Sequence, residues 1–382
     1  MADLVIDALR AKHGDCLVVQ GGGATMLVDG GPPGVYRRFL KPFLENLTAD
    51  SVDEAPAFDL LMVSHIDADH IAGILDLTSE LIDADDESAK PIVQIDEVWH
   101  NSFADIISSG SQRTVSRARN ESLQVANLVD NDVHLLNAMD DTTFVLASVG
   151  QGRRLRQDVE RLNIELNSGF QDGLVVNQAE PISRSFKELK LTVVGPGQSD
   201  VDDLREKWAK ELPAILAKEA DKEAATAAAA RLDTSVANLS SLVVIAEANG
   251  KTALLTGDAR GDAVLDFLTQ NDLQKEFDIL KLPHHGSDRN VTPEFFETVR
   301  ADHYIMSGDG KHGNPEPETF EMLFNARPEL DYKIHMTYGP TELAEHHEFD
   351  SAGFRRVMNR DSRRRRLLVF PTSTEKLIRV AI

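Results

Sequence analysis

Short apolar runs in this chain end, one after another, on histidine or aspartate. "TMLV" runs into Asp29, "DLLMV" into "SHIDADH", "DEVW" into His100, "ALLTG" into Asp258, and "ILKLP" into His284 and His285. Runs of a few aliphatic and β-branched residues bounded by turn signals read as strands. Asp and His are weak formers of both helix and strand, so the crowding of His65, Asp67, Asp69 and His70 marks a loop selected for chemistry. Layered α/β folds assemble their sites in loops at one end of the strands. A chain punctuated in this way is constrained to bring those ends together.

The order of elements agrees. "DLVIDAL", "CLVVQ" and "TMLVDGG" read as strands separated by "HGD" and "GGGA". "VYRRFLKPFLENL" has helical spacing interrupted by Pro42, and "IAGILDLTSELI" after the "SHIDADH" loop reads as a helix. "SLVVIAEANGKTALLTGDA" reads as a hairpin turning at Asn249-Gly250. This alternation predicts an α/β layered architecture in one domain over 1–382. Residues 104–190 and 200–237 read as mainly helical insertions, the second rich in Ala, Glu and Lys, and 335–382 as a C-terminal extension.

Composition narrows the function classes. The 382 residues carry 40 Lys plus Arg against 63 Asp plus Glu, a formal charge of −23. Such a field repels polyanions at long range and argues against strong non-specific nucleic-acid binding, while bound divalent cations would offset it locally. The "RRRR" run at Arg363–Arg366 reads as solvated or salt-bridged. A single cysteine, Cys16, excludes an internal disulfide framework and reads as a small buried hydrophobe. The opening "MADLVIDALRAKHGD" lacks the basic start and apolar core of a secretory signal, and no apolar run reaches the roughly 20 residues of a membrane span. A cytoplasmic protein with no membrane association is expected.

Imidazoles and carboxylates converging from several strand ends suit a two-metal hydrolytic site. His65 and Asp67, two apart at a strand exit, could point one way, with Asp69 and His70 turned toward a second ion. Asp258 has two oxygens and could bridge both ions, which an imidazole nitrogen cannot. Asp29 before Gly30-Gly31 is either a turn residue or a group that orients ligands. His312 in "KHGNPEPE" precedes a proline-started helix and could present an imidazole as general acid. "EHHE" at Glu345–Glu348 reads as a solvated loop.

Taken together, "MLVDGG", "SHIDADHIAG", "LLTGDA" and "LPHHGS" resemble the metallo-β-lactamase-fold hydrolase superfamily. "HGDCLVV", "NLSSLVV" and "HGNPEPETFEML" are similar to the branch containing the hydrolase domain of bacterial competence (DNA-uptake) channel proteins, and to stand-alone metallohydrolases of anti-phage systems. The resemblance implies a four-layered αβ/βα sandwich with two divalent ions, Zn²⁺ or Mn²⁺, at its open edge. By position, His65, Asp67 and His100 would hold one ion, with His134 as the alternative to His100. Asp69, His70 and one histidine of the pair would hold the other, His284 being the first choice, while His285 contacts substrate or supports a ligand. Asp258 would bridge, and Asp29 would orient ligands. Most of the superfamily has His where this chain has Asp67, which makes the site more anionic and favours oxygen-loving ions.

The implied activity is that of a phosphodiesterase or nuclease acting through a two-metal-activated hydroxide, with nucleic acid or a nucleotide as substrate and a role in bacterial defence or DNA processing. Asp69, Asp258, His285 and His312 would carry the chemistry. The competing expectations are a hydrolase of another ester (lactone, thioester or phosphocholine ester) and a metal-stabilised scaffold of a defence complex, with a protein partner docking on the helical insertions.

Overall fold

The structure is a computed structural model that describes residues 2–49, 55–65, 67–102, 105–106, 141–177, 180–206, 240–372 and 374–382. In chain order it contains β1 (Leu4–Leu9), β2 (Leu17–Gly21), β3 (Ala24–Val28), α1 (Lys41–Ala49), β4 (Ala57–Phe58), β5 (Leu60–Met62), α2 (Ala68–Asp86), β6 (Gln94–Ile95) and β7 (Glu97–Trp99). Then come α3 (Asp141–Arg161), β8 (Glu165–Leu166), β9 (Ser183–Phe186), β10 (Leu189–Gly195), β11 (Val243–Ala248), β12 (Lys251–Leu255), α4 (Gly261–Gln270), β13 (Glu276–Lys281) and α5 (Pro293–Thr298). The chain finishes with β14 (Arg300–Met306), α6 (Pro317–Ala326), β15 (Lys333–Met336), α7 (Pro340–Leu343), α8 (Ser351–Asn359), β16 (Leu368–Val369) and β17 (Leu377–Ala381).

Among the described residues, two large sheets form. The first has the strand order β17-β1-β2-β3-β5-β7-β8, and the second β16-β15-β14-β13-β12-β11-β10-β9. Side chains alternate across each strand, and the alternation assigns every apolar residue to one of two layers. Val19 pairs with Met26, both facing the second sheet, while Val18 pairs with Leu27, both facing helices. Leu4, Ile6 and Met62 of the first sheet meet Val244, Leu255 and Ile279 of the second in one apolar layer. Outside the first sheet lie Ile71, Ile74 and Leu81 of α2 and Leu155 and Val159 of α3. Outside the second lie α4, α5, α6 and α8, through residues such as Leu268, Phe295, Phe320 and Phe354. The expected four-layered αβ/βα sandwich is the fold observed.

The β11–β12 hairpin turns where the sequence places it. Asn249 and Gly250 take φ of 50° and 75°, the left-handed pair of a tight two-residue turn. Two expectations need correction. Residues 104–190 hold α3, but β8 and β9 within them are strands of the two sheets, as is the start of β10. Their four-residue "SRSF" and two-residue "EL" are too short and polar to show a strand period. The end of the 335–382 stretch is likewise no appendage, because β17 pairs antiparallel with β1 from Val5↔Ala381 to Leu9↔Leu377. Most of the Ala-rich stretch in 200–237, and His134, lie outside the described residues.

Beyond Asp29, the chain turns through Gly30 and Gly31 directly onto α2. The Gly30 amide donates to the His70 carbonyl at 2.7 Å, and the Gly73 amide to the Gly31 carbonyl at 3.0 Å. A Cβ on Gly73 would lie 1.9 Å from the Gly30 carbonyl oxygen, backbone that cannot step aside. Gly73→Ala is therefore expected to cost about 2–3 kcal/mol of folding stability despite its higher helix propensity. Chemical denaturation would show it as a lowered midpoint; an unchanged or raised midpoint would contradict the close approach.

Candidate metal centre

The loops that carry the chemistry leave the C-terminal ends of parallel strands. Asp29 follows β3, His65 to His70 follow β5, His100 follows β7, Asp258 follows β12, His284 and His285 follow β13, and Ser307 to His312 follow β14. Parallel pairing of β3, β5 and β7, and of β12, β13 and β14, puts all these exits on one edge.

On the first sheet, Asp29 is held in the left-handed region at φ 60° and is almost fully buried. Its carboxylate accepts from the Ser64 amide at 2.7 Å, the Ser64 hydroxyl at 2.5 Å and the His70 Nδ1 at 2.9 Å. His70 thereby turns Nε2 inward, 3.2 Å from Asp258 Oδ2 and 3.9 Å from Asp69 Oδ2. On the second sheet, His285 Nδ1 lies 3.1 Å from Ser307 Oγ, and the Ser307 hydroxyl donates a short hydrogen bond to Asp15. Its Nε2 then lies 3.5 Å from both Asp258 Oδ1 and Asp69 Oδ2. The His70 and His285 rings stack at 5.3 Å.

The same arrangement repeats around the site. His65 Nδ1 is 3.3 Å from Ser241 Oγ, with its Nε2 3.1 Å from Asp67 Oδ2. His284 Nδ1 is 2.9 Å from Asn290 Oδ1, with its Nε2 3.7 Å from Asp258 Oδ2. His100 is buried and hydrogen-bonds to the Val63 backbone. The buried Nε2 atoms of His65, His70, His100 and His285 and the Asp258 Oδ1 make no regular hydrogen bond, the first two and His285 facing carboxylate oxygens at 3.1–3.5 Å instead. Buried polar atoms are nearly always satisfied, so several such atoms, drawn from loops of both sheets, need a common partner.

Charge explains what that partner must be. Burial pushes the His70 and His285 imidazoles down, but nearby carboxylates, Asp258 first, prevail: His70 is raised well above its ordinary value and His285 to about 9. Burial pushes the Asp258 and Asp69 carboxyls up, yet His70 above all holds both below the usual carboxylate range. His100, with burial dominant and His65 adding to it, is lowered to about 4 and stays neutral. An anionic pocket whose imidazole nitrogens face inward, each anchored through its other edge, fits a divalent cation. Mixed nitrogen and carboxylate donors suit borderline and hard divalent ions.

Among the described residues, one group brings its ligand atoms within 4.8 Å of one another: Asp15, His70, Asp258 and His285. Asp69 borders this group, and His65, Asp67 and His100 lie to one side. Against the expected preference for His284, the tight group contains His285. His284 and His285 take φ of 46° and 57°, so strand alternation does not separate them and both rings face Asp258. Asp15 is missing from the ligand set read from sequence. Its "HGDC" neighbourhood reads equally as a turn or, by the branch resemblance, as a position near the site, and its partners lie far along the chain: Lys281 Nζ at 2.6 Å, Ser307 and His285. Lys281, buried to 1% exposure, balances that carboxylate beneath the site. His312 takes φ 62° and meets the His13 ring edge-on at 5.4 Å. In the "EHHE" loop His347 is 92% exposed, while His346 lies 3.6 Å from Asp309 and with Glu345 lines a cavity beside Lys12.

Comparison with known proteins agrees with this geometry. Residues 9–117, which include β2, β3, β5, α2 and β7, match the family model described as the Metallo-beta-lactamase superfamily. Residues 9–117 are thus similar to a metallo-β-lactamase superfamily domain, and they contain Asp15, His70 and the other first-sheet members of the candidate metal site. A crystal structure of a protein assigned as a metal-dependent hydrolase from Parabacteroides distasonis is similar at 12% identity and a TM-score of 0.37, over 87% of this chain and 92% of that one. CmlA, a diiron β-hydroxylase from Streptomyces venezuelae, is similar at 12% identity and a TM-score of 0.38, over 99% of this chain and 54% of that one. Overlaps this loose carry no functional argument. No curated protein sequence matches the chain significantly.

Metal analysis of the purified full-length protein should find bound divalent ions. Asp258→Asn and His285→Ala should each remove most of them, and His284→Ala fewer. Chelation should lower the melting temperature, since an ion at about 100 times its Kd adds about 2.7 kcal/mol. Metal content that survives Asp258→Asn would remove Asp258 from the centre.

Proposed function

We propose that the chain hydrolyses a phosphodiester, with the metal centre at the joint between the sheets as its catalytic site. The observation that carries this reading is the set of unpartnered, inward-facing Nε2 atoms around Asp258, which a passive scaffold has no reason to keep buried. The branch likeness of "HGDCLVV" and "HGNPEPETFEML" supports the phosphodiester. A role in bacterial defence or DNA processing, with Zn²⁺ or Mn²⁺ as the ion, follows from the same likeness.

His70, His285 and Asp258 would hold one ion with Asp69 beside them; His65, Asp67 and His100 are the donors available to a second. Such ions supply Lewis-acid polarisation of a phosphoryl group and a more acidic water. The chain's own groups do the rest. Asp29, Ser241, Asn290 and the Asp15–Ser307 pair fix the ring orientations. Asp69, with 15% of its side chain exposed against 4% for Asp258, is the carboxylate placed to take the proton of the attacking water. As the new P–O bond forms and the old one breaks, His312 gives its proton to the departing oxygen, with His13 packed against its ring.

Assays with bis-p-nitrophenyl phosphate, DNA, RNA and a lactone in Mn²⁺ or Zn²⁺ test the reading; hydrolysis of the lactone alone would overturn it. His312→Ala should lower kcat by about 10²- to 10⁴-fold on a nucleotide diester, whose leaving alkoxide needs a proton. On bis-p-nitrophenyl phosphate, whose leaving group departs as a stable anion, the loss should be far smaller. Equal losses on both would exclude His312 as the acid.

A further inference from the structure

The outer flank of the second sheet carries a charge pattern that the metal centre does not use. Seven of the twelve residues from 355 to 366 are arginine, against one carboxylate, Asp361, on a chain of formal charge −23. They lie on α8 and on the 3₁₀ turn Arg364–Arg366 that follows it. The helix turns its apolar side to the protein: Val357 and Met358 are buried, and Phe354 meets the Phe320 ring of α6 at 5.2 Å. Arg355, Arg356, Arg360, Arg363, Arg365 and Arg366 are exposed to solvent.

Most of these charges have no counter-charge. Arg360 pairs with Glu321, and within the run at Arg363–Arg366 it is Arg363 that is ion-paired, with Asp361 at 2.7 Å. Arg364 donates to the Val357 carbonyl at 2.8 Å and lies 4.5 Å over the Phe324 ring, while Arg365 donates to the Asn359 side chain. Among the described residues, no carboxylate pairs with Arg355, Arg356, Arg364, Arg365 or Arg366. Lys333 extends the row, its Nζ donating to the Arg366 carbonyl at 3.1 Å. Nearby carboxylates are engaged elsewhere: Asp350 caps α8 at the Gly353 amide, Glu348 meets His347, and Asp331 pairs with Arg327. On α6, Glu318 alone lacks an ion-pair partner among the described residues, so unpaired cations clearly outnumber free anions along this flank.

The row begins beside the candidate centre. A Cβ on Gly313, the residue after His312, would come 3.5 Å from the Glu348 carbonyl oxygen, two residues before the Asp350 cap of α8. From that cap the nine helical residues run about 14 Å, room for about four phosphates of a strand at about 3.4 Å of axis each. The guanidinium fork matches phosphate oxygens in pairs, which a lysine ammonium does not. Binding to a membrane surface calls for apolar side chains among the cations, whereas the exposed large hydrophobics, Val369 and Phe370, lie beyond the row. The acidic remainder of the chain repels a polyanion, but salt screens that field within about 10 Å. A strand lying on the row meets arginines first.

We propose that this arginine row binds the sugar–phosphate backbone of a nucleic acid, so that the substrate brought to the metal centre is a polynucleotide and not a free nucleotide. The substrate assignment rests on the phosphodiester reading; the binding does not.

Titration of the full-length protein against a fluorescein-labelled oligothymidylate, and against a duplex of the same length, at several salt concentrations tests it. The variant Arg355→Ala/Arg356→Ala/Arg365→Ala/Arg366→Ala removes four exposed charges. It should bind the preferred strand about 100-fold more weakly, with a log–log salt slope shallower by about 3. Its thermal unfolding and its rate on bis-p-nitrophenyl phosphate should match those of the native protein. Unchanged affinity and slope in the variant, or no binding of either oligonucleotide by the native protein, would overturn the proposal. So would native protein that binds phosphatidylserine vesicles and neither oligonucleotide. Hydrolysis is scored separately. A protein that binds through the row yet cleaves no diester keeps the surface and loses the reaction. One that cleaves diesters, with the variant cutting oligothymidylate as efficiently as the native protein, keeps the reaction and loses the surface.

Discussion

Asp258 leaves the second sheet and finds an imidazole from the first, His70, 3.2 Å away, and one from its own sheet, His285, at 3.5 Å. A carboxylate only 3% exposed cannot remain charged without close counter-charge, because burial penalises the ionised form. The pairing therefore ties the two sheets together at their open edge, where the apolar layer between them ends. A backbone link lies beside it, the Leu242 amide donating to the Ser64 carbonyl at 2.7 Å. Without the seam between the sheets there is no pocket, and the apolar layer behind it holds the two sheets together.

Positions around the seam carry conformational cost. Asp29, His284, His285 and His312 are all held at positive φ, a region that side-chain-bearing residues avoid at about 1–3 kcal/mol each. Layered hydrogen bonding holds them there: Asn290 alone meets His284 Nδ1 and, through its amide nitrogen, the Asp258 carbonyl at 3.1 Å. Buried apolar layers on both faces of each sheet supply the stability that offsets this local cost.

Much of this organisation is legible in the sequence because its signals are local. Apolar alternation gives the strands, Asn249-Gly250 the hairpin, and the crowding of His and Asp after β5 the chemical loop. What escapes is what depends on distant partners or on unusual backbone. Asp15 stays divided between turn and site until Ser307, 292 positions downstream, reaches it. Lys281 looks like a strand-edge cation until the fold buries it under that same aspartate. The choice between His284 and His285 stays open in sequence because successive left-handed residues break the alternation that would send neighbours to opposite faces. The short β8 and β9 offer too few residues to show a period.

Pairing of β17 with β1 has a consequence for how the molecule is made. Of the two neighbours of β1, β2 follows within a few residues while β17 lies more than three hundred residues further along the chain, and without β17 the outer flank of β1 is an open sheet edge. Contacts of such sequence separation close slowly. Since β1 leads straight into the loop holding Asp15, and the Arg10 amide donates to the Lys376 carbonyl at 2.9 Å, that loop is clamped only once the segment around Lys376 has docked. The candidate metal centre therefore depends on a pairing between segments more than three hundred residues apart in sequence.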